Sequence, residues 1–204
     1  VRSGFHHDNS EAITSEAIIF PAGVQHIAQG FNFRNLGVHY SGHFQVLRTI
    51  TELEYLFERI RMQGGAYDGF MELDRSGDFL FISFRDPELK KTLEIFKGAA
   101  NFISSLNLNP TEFQRYIIGT IGRLDQPLSP EYLGLKADSR YFSGITPEDL
   151  QKERNEVLSC SLKNIKGMGG MIHDIMDRKY ITVFGGATVI RNNSELYQSI
   201  IEMD

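Results

Sequence analysis

The sequence predicts an α+β fold, a two-layer sandwich in which a mainly antiparallel sheet carries helices packed on one face. Three observations lead there. Runs rich in β-branched and aromatic residues open the chain, an amphipathic helix and a hairpin follow, and four proline-marked helix starts fill the second half before a last strand. With 204 residues, 41% of them hydrophobic and 23% charged, the chain has the apolar material for one globular core and is no disordered tail.

Taken in order, Glu16 to Phe20 and Gly23 to Phe33 read as two strand segments separated by a turn at Pro21 and Gly23. Val46, Ile50, Leu53, Phe57 and Ile60 then recur four and three residues apart, so a helix over about 42–62 presents one apolar face to the sheet. Gly64-Gly65 ends it. Ala66 to Leu73 and Asp78 to Phe84 flank Asp74-Arg75-Ser76-Gly77, a turn composition that predicts an antiparallel hairpin. In Asp86-Pro87, Asn109-Pro110, Ser129-Pro130 and Thr146-Pro147 a capping residue precedes a proline, the pattern of an N-cap followed by the first helical position. Glu112 and Asp149 complete capping boxes for the second and fourth of these. Tyr180 to Phe184 reads as a short strand stopped by Gly185-Gly186, and Ser194 to Met203 as a closing helix.

Composition excludes several classes of function. The formal net charge is -5 and the basic residues are scattered among acidic ones, so there is no field for nucleic acid. The apolar runs fall well short of the roughly 18 to 20 residues that span a bilayer, which argues against a membrane. The lone Cys160 has no partner for an internal disulfide, so a reducing compartment is expected: the cytoplasm, or an organelle matrix if the source is eukaryotic. Val1 to Asn9 lacks the charged and apolar regions of a secretory signal. We read 1–11 as the end of a linker from a preceding domain and 12–204 as the domain proper.

Most chemistry-bearing residues have a plain reading. His39 and His43 are four apart, yet Tyr40-Ser41-Gly42 between them holds no glutamate and no third ligand follows, so they read as ordinary surface or helix-start histidines. His6-His7-Asp8 reads as solvated. Lys166-Gly167-Met168-Gly169-Gly170 lacks the rest of a phosphate loop and reads as a helix break. Cys160 precedes the apparent cap Ser161, where a helix N-terminus can lower a thiol pKa, but with no histidine nearby it reads as structural. No metal ligand set emerges.

One segment stands apart: Arg59-Ile60-Arg61-Met62-Gln63-Gly64-Gly65-Ala66-Tyr67-Asp68-Gly69-Phe70. A cationic helix end, a double-glycine cap and an edge strand account for its glycines but not for Tyr67. Here the chain resembles the presequence protease branch of the pitrilysin/insulinase-type zinc metallopeptidases. That branch has a helix ending in Arg, a Gly-Gly-Ala-Tyr-Gly turn, and a strand pair leading to Tyr-Arg-Asp-Pro. The counterparts are Arg61, Gly64-Gly65-Ala66-Tyr67 and Phe84-Arg85-Asp86-Pro87, and the likeness continues through Glu94-Ile95-Phe96-Lys97, Tyr116 to Ile121, Leu124 to Pro130 and Gly144 to Asp149. It covers about 12–185. Asp68 departs from it, standing where the branch commonly has glycine.

The resemblance implies the non-catalytic C-terminal domain of a peptidase whose four related domains close around a chamber for short unfolded peptides. Zinc belongs to the N-terminal catalytic half, on an H-x-x-E-H helix that this chain lacks, so the isolated chain is expected to cleave nothing. By the same resemblance Tyr67 stabilises the oxyanion in trans across the chamber. Arg61, with Gly65 and Ala66, contacts the substrate, and the implied partners are the catalytic half and unfolded peptides. Two alternatives stay open: a peptide-binding or scaffolding domain of a catalytically inactive relative, and an unrelated α+β enzyme whose activity depends on Cys160.

Overall fold

The computed structural model describes residues 13–203, so the linker reading of 1–11 and the motif His6-His7-Asp8 lie outside the described residues. Six strands form one sheet: β1 (Ser15–Ile19), β2 (Gln25–Asn32), β3 (Asp68–Leu73), β4 (Asp78–Asp86), β5 (Ile181–Gly185) and β6 (Ser199–Glu202). Their spatial order is β3-β4-β2-β5-β1-β6. The pairs β3–β4, β4–β2 and β2–β5 are antiparallel, whereas β1 runs parallel to both β5 and β6. The α+β sandwich is thus as expected.

The sheet has one buried face and one open face. Ala17, Ile27, Met71, Phe79, Phe81 and Val183 are fully buried and point the same way, as the two-residue period of a strand requires. Helices α1 (His43–Thr51), α2 (Leu89–Ser105) and α7 (Gly169–Asp177) cover them. Ile18, His26, Phe70, Leu80, Ile82, Phe84 and Phe184 alternate to the other side, half-buried or exposed.

The long first helix keeps its expected span but not its expected face. From Glu52 to Met62 it continues α1 as a π-helix, in which hydrogen bonds close five residues apart, as from Gln63 N–H to the Glu58 carbonyl at 3.0 Å. The wider turn shifts the buried stripe. Val46 and Ile50 are followed inward by Tyr55 and Ile60, while Leu53 and Phe57, which an α-helical period would bury, are 58% and 40% exposed. Tyr55 fixes the wide segment to α2 by donating its hydroxyl to the Ile95 carbonyl at 2.8 Å and packing its ring 4.8 Å from Phe102.

The proline-marked starts are mostly as read. Asn109, Ser129 and Thr146 are the N-caps of α3 (Pro110–Leu124), α4 (Pro130–Phe142) and α5 (Pro147–Leu158), and both capping boxes are present. Asp86-Pro87 differs. Asp86 is the last residue of β4 and fully buried, and its carboxylate accepts from Glu88 N–H at 2.7 Å and Thr92 Oγ1 at 2.6 Å, so α2 begins later, at Leu89. Met168 separates α6 (Leu162–Gly167) from α7, at the break expected in Lys166-Gly167-Met168-Gly169-Gly170. After β5 a short helix, α8 (Ala187–Arg191), precedes the C-terminal segment.

That segment overturns one expectation. Ser194 to Met203 is a single 3-10 turn, Ser194–Leu196, followed by strand β6 beside β1. The free edge of β1 supplies hydrogen-bond partners, including the Ser15 carbonyl to Gln198 N–H at 2.9 Å, and the β-branched pair Ile200-Ile201 suits a strand. Tertiary context outweighs local helix propensity here.

The close approach of β3 to the π-helical segment depends on Gly69. A Cβ there would lie 2.8 Å from Ile60 Cγ2 and 2.9 Å from Ile60 Cβ, the rigid branch point of a fully buried side chain. Gly69→Ala is therefore expected to destabilise the chain by about 1–3 kcal/mol, the usual range for overpacking a core. Ile60→Ala removes Cγ2 and Cδ1, so Gly69→Ala/Ile60→Ala should cost less than the sum of the two single substitutions. Urea unfolding of the three variants checks this, and an unchanged midpoint for Gly69→Ala would show that the approach tolerates a methyl group.

Candidate functional site

The segment around Tyr67 is built by a helix end meeting a strand. Gly65 adopts φ +78, the left-handed conformation open to glycine, and its N–H bonds the Arg61 carbonyl at 3.2 Å. Ala66 is buried and donates to the Ile60 carbonyl at 3.2 Å. Both N–H groups therefore serve the helix end, and the two residues shape the turn that presents Tyr67. Tyr67 itself donates its N–H to the Phe84 carbonyl at 3.0 Å, which fixes its backbone to β4, while its side chain is 62% exposed.

Cations and rings converge here. The Arg61 guanidinium lies 6.0 Å from the Tyr67 ring centre and 5.4 Å from that of Phe57. From the strand side, Arg85 lies 5.9 Å from the Tyr67 ring and 5.7 Å from Phe84. The Phe57 exposure created by the π-helical winding thus gives Arg61 an aromatic face to rest on. Asp68, the departure from the motif, turns its carboxylate to its own neighbour, accepting from Gly69 N–H at 2.9 Å. The row of rings continues from Tyr67 across the open sheet face, with Phe84 edge-on to Tyr67 at 6.0 Å, His26 4.4 Å from Phe84, and Phe184 stacked 3.9 Å from Phe20. Sequence reading missed Arg85 and this row, because both depend on register between strands distant in the chain.

The other candidates do not join this cluster. Among the described residues there is no group of three or more His, Cys, Asp or Glu side chains able to hold a metal ion, so His39 and His43 gain no third ligand. Zinc does not fit the described residues of this chain. Cys160 is buried in the apolar core, its Sγ donates weakly to the Ser161 carbonyl at 3.8 Å, and burial pushes its thiol up to about 12. No helix among the described residues is long and apolar enough to cross a membrane.

The fold is that of a pitrilysin-type peptidase domain: over 94% of this chain and 22% of its own, the crystal structure of pitrilysin superposes with a TM-score of 0.59 at 12% identity. The chain belongs to the PreP C-terminal domain family, which matches residues 15–186. It is 37% identical over 186 residues to Protein HypA of Clostridium perfringens, covering 91% of this chain and 19% of that protein. To Presequence protease 1, chloroplastic/mitochondrial, of Arabidopsis thaliana it is 34% identical over 172 residues, covering 84% of this chain and 16% of that protein. The chain therefore spans less than a fifth of the length of these relatives.

A thiol held that far above neutrality is almost wholly protonated at pH 8 and is a poor nucleophile. Cys160 in the folded protein is expected to resist iodoacetamide at pH 8 and to label fully in denaturant, as mass spectrometry would register. Stoichiometric labelling of the native state within minutes would revive the thiol enzyme.

Proposed function

We propose that this chain is the substrate-binding, active-site-completing C-terminal domain of a zinc metalloendopeptidase that degrades short unfolded peptides. The observation that carries the reading is the exposed Tyr67 on a backbone pinned at both ends, by the helix end through Gly65 and Ala66 and by β4 through the Phe84 carbonyl. A tyrosine whose backbone is so held presents its exposed phenol in a fixed direction, where it can donate a hydrogen bond to a ligand from outside the chain.

In the proposed reaction the Tyr67 hydroxyl donates to the oxygen of the scissile carbonyl as that oxygen gains negative charge, and it keeps its own proton throughout. Arg61, backed by Phe57, offers a fork of N–H donors that aligns the peptide. Gly65 and Ala66 contribute through the turn they build. The zinc and the attacking water belong to the N-terminal catalytic half of the parent, so the isolated chain is proposed to be inactive.

Helix α4 supports a large intramolecular partner. It buries none of its residues, and Tyr132, Leu133, Leu135, Tyr141 and Phe142 are all more than half exposed. These side chains project from several sides of the helix, and a helix left open all round with this much apolar surface is what a domain shows when its neighbour is absent. The proposal places the parent in the cytoplasm, or in an organelle matrix if the source is eukaryotic.

In the full-length parent, Tyr67→Phe is expected to lower kcat on an unfolded peptide by about a hundred-fold or more with KM nearly unchanged, since the lost donor acts in the transition state. A variant that cleaves as fast as the parent would remove Tyr67 from the reaction.

A further inference from the structure

Strand β4 alternates regularly from Phe79 to Ser83, with Phe79, Phe81 and Ser83 inward and Leu80 and Ile82 on the open face. Continued, that alternation would carry Arg85 into the core. It is broken by a bulge. Ile27 of β2 pairs with Ser83 and Gln25 with Asp86, so Phe84 and Arg85 together face the single residue His26. Arg85 adopts φ +51, a left-handed conformation that is uncommon for a residue with a side chain. Phe84 and Arg85 are consequently both exposed while Asp86 is fully buried.

The bulge delivers a cation to Tyr67. Arg85 arrives from the strand side and Arg61 from the helix side, each with its guanidinium within 6.0 Å of the same ring centre. Among the described residues, the arginines in ion pairs are Arg48, Arg75, Arg123, Arg154 and Arg191, and neither Arg61 nor Arg85 is among them. Arg34, Arg59, Arg115, Arg140 and Arg178 are likewise outside these ion pairs, so what sets Arg61 and Arg85 apart is that both reach one exposed ring. The nearby acidic residues of the segment make hydrogen bonds to other groups: Asp68 accepts from Gly69 N–H, and Glu58 from Gln63 Nε2 at 2.9 Å. A guanidinium resting on aromatic faces keeps N–H donors for a further ligand, and the match is strongest with a planar anion.

We infer that Arg85 is a substrate-binding residue of the Tyr67 site and that its ligand is a carboxylate of the bound peptide. The inference rests on the proposed reading of Tyr67 as part of an active site. The carboxylate comes either from the peptide's C-terminus or from an Asp or Glu side chain near the scissile bond. Phe84 and His26 beside Arg85 provide apolar ground for the neighbouring side chain.

The test uses the full-length parent, treated with chelator so that peptides bind without turnover. Three unfolded peptides of one sequence are compared by titration: one with a free C-terminus and a single Glu near the cleavage position, one amidated, and one with that Glu replaced by Gln. One of the two neutralised peptides is expected to bind about ten-fold more weakly than the first, and which one identifies the source of the carboxylate. Arg85→Gln should erase the difference, and Arg85→Lys should keep part of it. Equal binding of all three peptides, a preference that survives Arg85→Gln, or an equal loss on all three would each overturn the inference. Steady-state assays with Tyr67→Phe run alongside. A carboxylate preference carried by Arg85 in a parent whose Tyr67→Phe variant cleaves normally would retain the binding residue and discard the catalytic role, so the two failures are distinguishable.

Discussion

From Glu52 to Met62 the helix that crosses the sheet winds with hydrogen bonds five residues apart, and the rest of the site follows from that winding. It brings Tyr55 and Ile60 inward, where Tyr55 reaches α2 and Ile60 presses against Gly69 of β3. It turns Phe57 outward, where Arg61 finds its ring. Glu52, the first residue of the segment, holds three elements at once: its carboxylate accepts from Arg48 Nε at 2.9 Å and from Met71 N–H of edge strand β3 at 3.2 Å, and it faces Arg123 of α3 at 3.5 Å. A carboxylate on the edge strand also masks a backbone donor that would otherwise be open to another chain.

The second constraint is the bulge on β4. Asp86 is fully buried, and a buried carboxylate needs its hydrogen bonds, here from Glu88 N–H and Thr92. Bringing Asp86 inward one position late requires one extra residue on the strand, and Arg85 is that residue, in a left-handed conformation. The anchor of α2 and the outward aim of Arg85 are therefore two results of one local irregularity. Helix end and bulge meet where Tyr67 N–H bonds the Phe84 carbonyl.

What was legible in the sequence is what local chemistry decides. Asn109, Ser129 and Thr146 cap their helices through their own side chains, and Asp74 accepts from Ser76, Gly77 and Asp78 within the hairpin turn, so each signal is complete within a few residues. Ser194 to Met203 was misread because its pattern suits a helix until the edge of β1, more than 170 residues away, offers a ladder. Leu53 and Phe57 were misassigned because an apolar repeat of three and four does not reveal a change in winding. Tyr67 and Arg61 become candidates only through the resemblance, since no local pattern assigns a role to an exposed tyrosine. Arg85 lies in Phe84-Arg85-Asp86-Pro87, and its place beside Tyr67 follows only from the register of β2 and β4.

An exposed ring between two cations is a costly thing for an isolated domain to maintain, because long side chains held in place lose rotamer freedom and gain little from water-exposed contacts. Its backbone, by contrast, is rigid: β3 and β4 pair through six residues directly after Tyr67, and the helix end locks the residues before it. Rigidity in the frame with openness at the side chain suits donors that wait for a ligand, since the backbone entropy is met in folding and only side-chain rotamers are left to order on binding. On the proposed reading, the same division leaves the site incomplete in this chain. A frame can fix where donors sit, but on the proposed reading the reacting atoms arrive only when the catalytic half closes over the peptide, which makes closure a step that the Tyr67 geometry serves and cannot replace.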